Sequence, residues 1–250
     1  MNAFNSLLEK IENSTTLDFG DIFSESIELF KKVWVQGLVM LLLMMVILIP
    51  FYLMMYLPLT GMGILDSYQD TSDINPILMI PFFIFIFIFS IVAMVISFGM
   101  KASFYRICKH KDLNIAGSDD YFYFLKKPYL GKVIALSLMT FGISLVSMLL
   151  CVLPLIYAIV PITLVNVIFA FNPDMSASEI IKAGFKLGHK KWLLTFGLIV
   201  VSGILAELVG MLMCFVGIFV TVSFAYIPVY FVYKGAVGFN DSVEVDNVPN

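Results

Sequence analysis

The sequence predicts an all-α fold: a polytopic membrane helical bundle of six transmembrane helices, in three repeated units of an amphipathic helix followed by a hairpin. Three observations predict it. Of the residues, 60% are hydrophobic and the mean hydropathy is +0.98, well beyond the roughly 45–50% apolar content of soluble domains. All 15 Lys and Arg fall in segments that six crossings place on one side of a membrane, and the long apolar stretches between them carry a single carboxylate, Glu207. The chain also repeats part of itself.

The elements follow in order along a single integral membrane domain, 1–250. Residues 1–33 are a cytoplasmic N-terminal segment with an amphipathic helix, in which Phe23, Ile27, Phe30 and Trp34 recur at helical steps on one face. Glu25 and Glu28 lie early in that helix and Lys31 and Lys32 late, which complements its dipole. Residues 34–100 are hairpin 1, with spans at 34–57 and 77–100, each longer than the roughly 20 residues that cross a hydrocarbon core. Residues 83–89 alternate Phe and Ile like a strand face, but a lone strand cannot satisfy its backbone hydrogen bonds in lipid. Residues 101–171 are a cytoplasmic linker and hairpin 2, whose uncharged stretch 133–171 holds two crossings with a turn near Cys151 and Pro154. Residues 172–233 open with the capping-box spacing of Ser176 and Glu179, continue with Ile181, Phe185 and Trp192 on one helical face, and form hairpin 3, turning near Cys214 and Gly217. Residues 234–250 are a cytoplasmic tail.

Orientation follows from the basic residues next to the spans. Lys31 and Lys32 precede the first span, residues 101–132 and 182–191 supply the basic connections, and Lys234 follows the sixth. Both termini are therefore expected in the cytoplasm, with the chain multi-pass in the inner (plasma) membrane. The first external loop carries Asp66, Asp70 and Asp73 and no basic residue. The N-terminus lacks the basic and short apolar regions of a cleavable signal, so no cleavage is expected. The net charge of -3 comes from tails and caps such as Asp241, Glu244 and Asp246, and points to no nucleic-acid partner.

The repeat is clearest between residues 145–151, Leu-Val-Ser-Met-Leu-Leu-Cys, and 208–214, Leu-Val-Gly-Met-Leu-Met-Cys, which agree at five of seven positions. Each Cys lies 22 residues after an aromatic that follows a lysine pair: Tyr129 after Lys126 and Lys127, and Trp192 after Lys190 and Lys191. A fainter copy starts at Lys31, Lys32 and Trp34. An aromatic ring beside Lys suits the headgroup layer, so these nine residues are expected to be interfacial anchors. The amphipathic helices either orient the spans or recruit anionic lipid or a cytoplasmic partner.

Candidates for chemistry are few. Glu207 is costly within a span and is a default hint of function; its counterpart in the preceding unit is Ser144, and Asn166 is a candidate partner. These three form a candidate intramembrane polar site. Glu207 also sits among Ser202, Ala206, Gly210 and Cys214, spaced by four as in close helix packing, which gives it a structural reading instead. Cys151 and Cys214 are small packing residues or a disulfide pair. Cys108 belongs to a basic cytoplasmic border, residues 101–111. With His110 and His189 as the only histidines, both flanked by lysine, no metal site, cofactor or enzymatic activity is expected.

Residues 171–198 resemble the segment that marks a broad group of bacterial six-helix membrane proteins, which includes the membrane domain of some glycerophosphodiester phosphodiesterases and the YciC-like inner-membrane proteins of unknown function. Glu179, Ala183, Phe185, Lys186, Leu187 and Trp192 match its short helix and following aromatic, while Gly184 replaces the usual Ser. The resemblance implies an integral membrane protein without an assigned reaction, since the phosphodiesterase catalytic residues belong to a separate soluble domain. The expected function is a non-enzymatic membrane interaction or lipid-contacting module, with membrane lipids and other membrane or cytoplasmic proteins as partners. The alternative is a small transporter that uses Glu207 as a buried polar or proton-linked group.

Overall fold

A computed structural model of the chain describes residues 3–61, 79–150, 152–213 and 216–239. The loop aspartates Asp66, Asp70 and Asp73, the hairpin cysteines Cys151 and Cys214, and the tail acids Asp241, Glu244 and Asp246 lie outside the described residues. The described residues form helices joined by turns, with no strand among them. The helices are α1 (Ala3–Asn13), α2 (Phe19–Gly61), α3 (Met79–Asp112), α4 (Lys127–Leu149), α5 (Val152–Phe171), α6 (Ala177–Lys190), α7 (Trp192–Leu212), α8 (Val216–Thr221) and α9 (Ile227–Val237). Short 3-10 turns at Tyr123–Leu125 and Val222–Tyr226 precede α4 and α9. Six helical stretches are long and apolar enough to cross a membrane: Phe19–Met54, Ile80–Asp112, Lys127–Leu149, Leu153–Phe171, Trp192–Leu212 and Gly217–Val237. The chain is an all-helical, multi-pass membrane protein.

The three entries into the hairpins are built differently. In the first, the amphipathic segment and the span form one 43-residue rod, α2, so the boundary drawn at 33/34 falls inside a helix. At about 1.5 Å per residue that rod is roughly 65 Å long, about twice a hydrocarbon core. No capping or loop residue interrupts Lys31, Lys32, Val33 and Trp34, so nothing stops the helix there. The boundary at 100/101 likewise falls inside the 34-residue α3. The second entry is a 3-10 turn with Pro128 in the first turn of α4, and the third is a separate helix, α6, joined to α7 through Lys191.

The fully buried face of α2 differs from the one that carries Phe23, Ile27, Phe30 and Trp34. Ile22, Ser26, Leu29, Val33, Gly37 and Met40 are buried, whereas Ile27 and Trp34 are exposed. Close approach decides this. A Cβ at Gly37 would lie 2.2 Å from the Ser223 hydroxyl and 3.6 Å from the Phe104 ring, so only a small residue fits there. Phe23 and Phe30 flank the seam and meet Phe224 edge-on, with centroids 5.8 and 5.4 Å away.

Between α5 and α6 the packing is antiparallel and close. A Cβ at Gly184 would lie 2.4 Å from Val165, and one at Gly188 would lie 2.9 Å from the Pro161 Cα. Pro161, inside α5, has no N–H to give to the carbonyl of Tyr157 four residues earlier. The Trp192 indole supplies the missing donor, its Nε1 donating to that carbonyl at 3.1 Å. The α6 N-terminus carries the capping box that its sequence spacing predicts: Ser176 Oγ accepts from the Glu179 N–H, and the Glu179 carboxylate accepts from the Ser176 N–H. Along α7 the small residues Ser202, Ala206 and Gly210 form the buried stripe, and Thr221 Oγ1 donates to the Ala206 carbonyl at 2.6 Å.

Candidate functional site

Two hollows flank α4. The first, about 310 Å³, lies between α3, α4, α5 and Tyr226, and brings together two of the three residues of the expected polar site, Ser144 and Asn166. Thr140, Thr163, Ser97 and Lys101 line it as well. Asn166 is only 7% exposed; its Nδ2 donates to the Phe98 carbonyl at 2.9 Å, and among the described residues its Oδ1 accepts from nothing. Three hydroxyls in the wall spend their protons on their own helices: Thr140 on Leu136 at 2.9 Å, Ser144 on Thr140 at 2.9 Å and Thr163 on Ile159 at 2.7 Å. What they leave to the cavity is lone pairs. Its cation is Lys101, whose Nζ sits 4.8 Å from the centre of the Tyr226 ring.

The second hollow is a groove of about 580 Å³ between α4 and α6. Met139, Gly142, Ile143 and Val146 make an apolar wall, and Ser178 and Lys182 of α6 supply a polar edge. Nothing lies within 4 Å of where a Gly142 Cβ would be, so the wall is open at that point.

Glu207 belongs to neither hollow. It is exposed, one position round α7 from the buried Ala206, and it does not line the cavity that holds Ser144 and Asn166. The sequence spacing that made it a candidate for close packing describes the neighbouring stripe of small residues, about 100° away.

The lysine pairs and their aromatics have distinct surroundings. Lys31 pairs with Glu28 at 2.6 Å on the exposed side of α2; Lys32 and Lys127 are exposed, as is Trp34 at 43%. Lys126 pairs with Asp120 at 2.7 Å, and Tyr129 stacks on Tyr123 with centroids 5.3 Å apart and hydroxyls 3.2 Å apart. Lys190 and Lys191 reach the end of α1. Lys190 donates to the carbonyls of Ile11, at 2.9 Å, and Glu12, and Lys191 donates to that of Thr15. The two that Lys190 reaches are carbonyls that a helix C-terminus leaves without intrahelical donors. Burial, and then the charge on Lys190, pull the Lys191 ammonium below its ordinary pKa. Lys186 completes the clasp by hydrogen bonding Glu12, which holds that carboxyl below the usual carboxylate range.

Further polar contacts join the other basic segments. Lys234 and the Tyr230 hydroxyl both donate to Asp112, at 2.6 and 2.7 Å; Gln36 donates to Asp119 at 3.1 Å, and Lys111 lies 3.4 Å from the same carboxylate. Lys132 donates to the Pro173 carbonyl. Among the described residues, no group of three or more His, Cys, Asp or Glu is close enough to hold a metal ion. Cys108 is buried and unpaired.

Lys101, Thr140 and Thr163 were not singled out by the sequence. Lys101 belongs in sequence to the basic border at 101–111, yet it stands five residues ahead of Arg106, further toward the apolar half of α3. That offset was its available signal. No family model, curated protein or solved structure matches the chain.

Proposed function

We propose that the protein is a non-enzymatic, lipid-contacting module of the inner membrane, with its basic segments and both termini in the cytoplasm. The observation that carries this reading is the groove between α4 and α6. An apolar wall of Met139, Gly142, Ile143 and Val146 suits an acyl chain, and Lys182 with Ser178 at its edge suits an anionic headgroup. The resemblance of residues 171–198 to six-helix membrane proteins supports the same reading, as does the way ion pairs and lysine-to-carbonyl bonds join the basic segments. A second reading, a small transporter, is favoured by the polar cavity around Asn166.

Native mass spectrometry of the protein released from its own membrane tests the first reading. The expected result is stoichiometric lipid on the wild type and its loss in Gly142→Leu, which fills the groove where a side chain meets no neighbour. Leu also replaces a helix-interior Gly at a gain of about 0.8–1 kcal/mol in propensity, so this variant is expected to fold. Absence of lipid from the wild type, or equal retention by Gly142→Leu, contradicts the reading.

A further inference from the structure

The cavity between α3, α4 and α5 is separate from the groove, and its chemistry goes beyond general lipid contact. Lone pairs line it on several sides. Thr140, Ser144 and Thr163 have committed their protons to helix carbonyls and keep lone pairs for the hollow, and the Asn166 amide beside them has committed an N–H to Phe98. Beside these acceptors stands one cation, Lys101, engaged by the Tyr226 ring and by no carboxylate among the described residues. The site therefore asks for two things in one ligand: an anionic group for Lys101 and hydrogen-bond donors for the oxygens.

Depth narrows the choice. Gly37 meets Phe104, and Phe51 stacks on Phe89, so the antiparallel register of α2 and α3 puts Lys101 opposite Met40. That level is six residues, or about 9 Å, further into the apolar stretch than Trp34. With Trp34 in the headgroup layer, the cavity lies at the boundary where headgroups give way to acyl chains. We propose that it binds a phosphate ester carrying an ammonium or hydroxyl donor, the chemistry of an ethanolamine or glycerol phospholipid headgroup. The phosphate pairs with Lys101, and the donor bonds the hydroxyl oxygens of Thr140, Ser144 and Thr163. A choline headgroup brings the same phosphate but no N–H, and is the natural discriminator.

The test exposes the purified protein to an equimolar mixture of phosphatidylethanolamine, phosphatidylglycerol and phosphatidylcholine and reads the retained lipids by native mass spectrometry. The donor bond, which the choline lipid cannot make, predicts about tenfold preference for the first two over the third. The isosteric Thr163→Val is expected to erase that preference and Lys101→Gln to lower retention of all three lipids, while Gly142→Leu leaves both intact. Should Lys101→Gln melt well below the wild type, Thr163→Val decides alone. Soluble phosphoethanolamine at millimolar concentration separates the two sources of this chemistry. Displacement assigns the site to the free headgroup compound and resistance to the intact lipid, and both outcomes require the same pairing. Equal retention of the choline lipid, an undiminished preference in Thr163→Val, or undiminished retention in folded Lys101→Gln overturns the proposal. Loss of all lipid in Gly142→Leu with none in Lys101→Gln overturns it while leaving the groove reading in place; the reverse pattern sinks the groove reading alone.

Discussion

At the scale of single residues, the packing is governed by what is missing from a side chain. Pro161 lacks an N–H, which leaves the Tyr157 carbonyl to the Trp192 indole, and Gly188 lacks a Cβ, which lets α6 approach the Pro161 backbone. Gly188→Ala would place its methyl 2.9 Å from the Pro161 Cα, a backbone atom that cannot rotate aside. Overpacking of this kind costs about 1–3 kcal/mol, far more than the helix propensity that Ala gains over Gly. A lowered melting temperature for Gly188→Ala is expected, while Gly203→Ala, where a Cβ meets open space, leaves it unchanged or raised. Equal melting of the two variants would remove the close α5–α6 approach from the account. Gly203 shares the exposed side of α7 with Glu207, a residue whose significance changes with the structure. In sequence it is the single acid in the long apolar stretches; in three dimensions it is apart from the polar cavity, which Asn166 and Ser144 line together with Lys101.

At the scale of elements, α1 is held to α6 by a clasp of Lys186, Lys190 and Lys191 on Glu12 and the carbonyls of residues 11–15. The Glu12 carboxyl is depressed by its hydrogen bond to Lys186 and then by that lysine's charge, so its protonation opposes the clasp. For a depressed acid the stabilisation is present above the ordinary carboxyl pKa and is lost as pH falls through the lower folded value. Hydrogen exchange of residues 3–13, corrected for the intrinsic rate, should therefore show protection at pH 7 that declines below about pH 4. Glu12→Gln should lack that pH dependence, and identical profiles for variant and wild type would show that another contact holds α1. The expectation that Lys190 and Lys191 lie in the headgroup layer came from their place beside Trp192 in sequence. Their carbonyl partners 176–179 residues away are beyond the reach of any local pattern.

At the scale of the whole molecule, the helical class and the apolar stretches were legible because both depend on local composition: a run of 20 apolar residues declares itself without knowledge of its neighbours. The capping box of α6 and the small stripe of α7 were legible for the same reason, as short-range spacings. Which face of α2 is buried was not legible. It depends on Ser223 and Phe224 approaching Gly37 and Phe30 from a turn nearly 200 residues later. The candidate site was half legible: Asn166 and Ser144 stood out as polar groups in apolar runs, whereas Lys101 was concealed by the cations that follow it. A hollow between helices has no signature in a single chain of letters, and both cavities became visible only with the packing of α4 against its neighbours.

Photocrosslinking decides whether the α4/α6 groove holds lipid. Benzoylphenylalanine would be placed at Met139 inside the groove and, separately, at the outward-facing Leu208 of α7, with irradiation after a detergent wash that strips loosely held lipid. A covalent adduct of phospholipid mass is expected at position 139 and none at position 208. No adduct at 139, or adducts of equal yield at both positions, would contradict lipid binding in the groove.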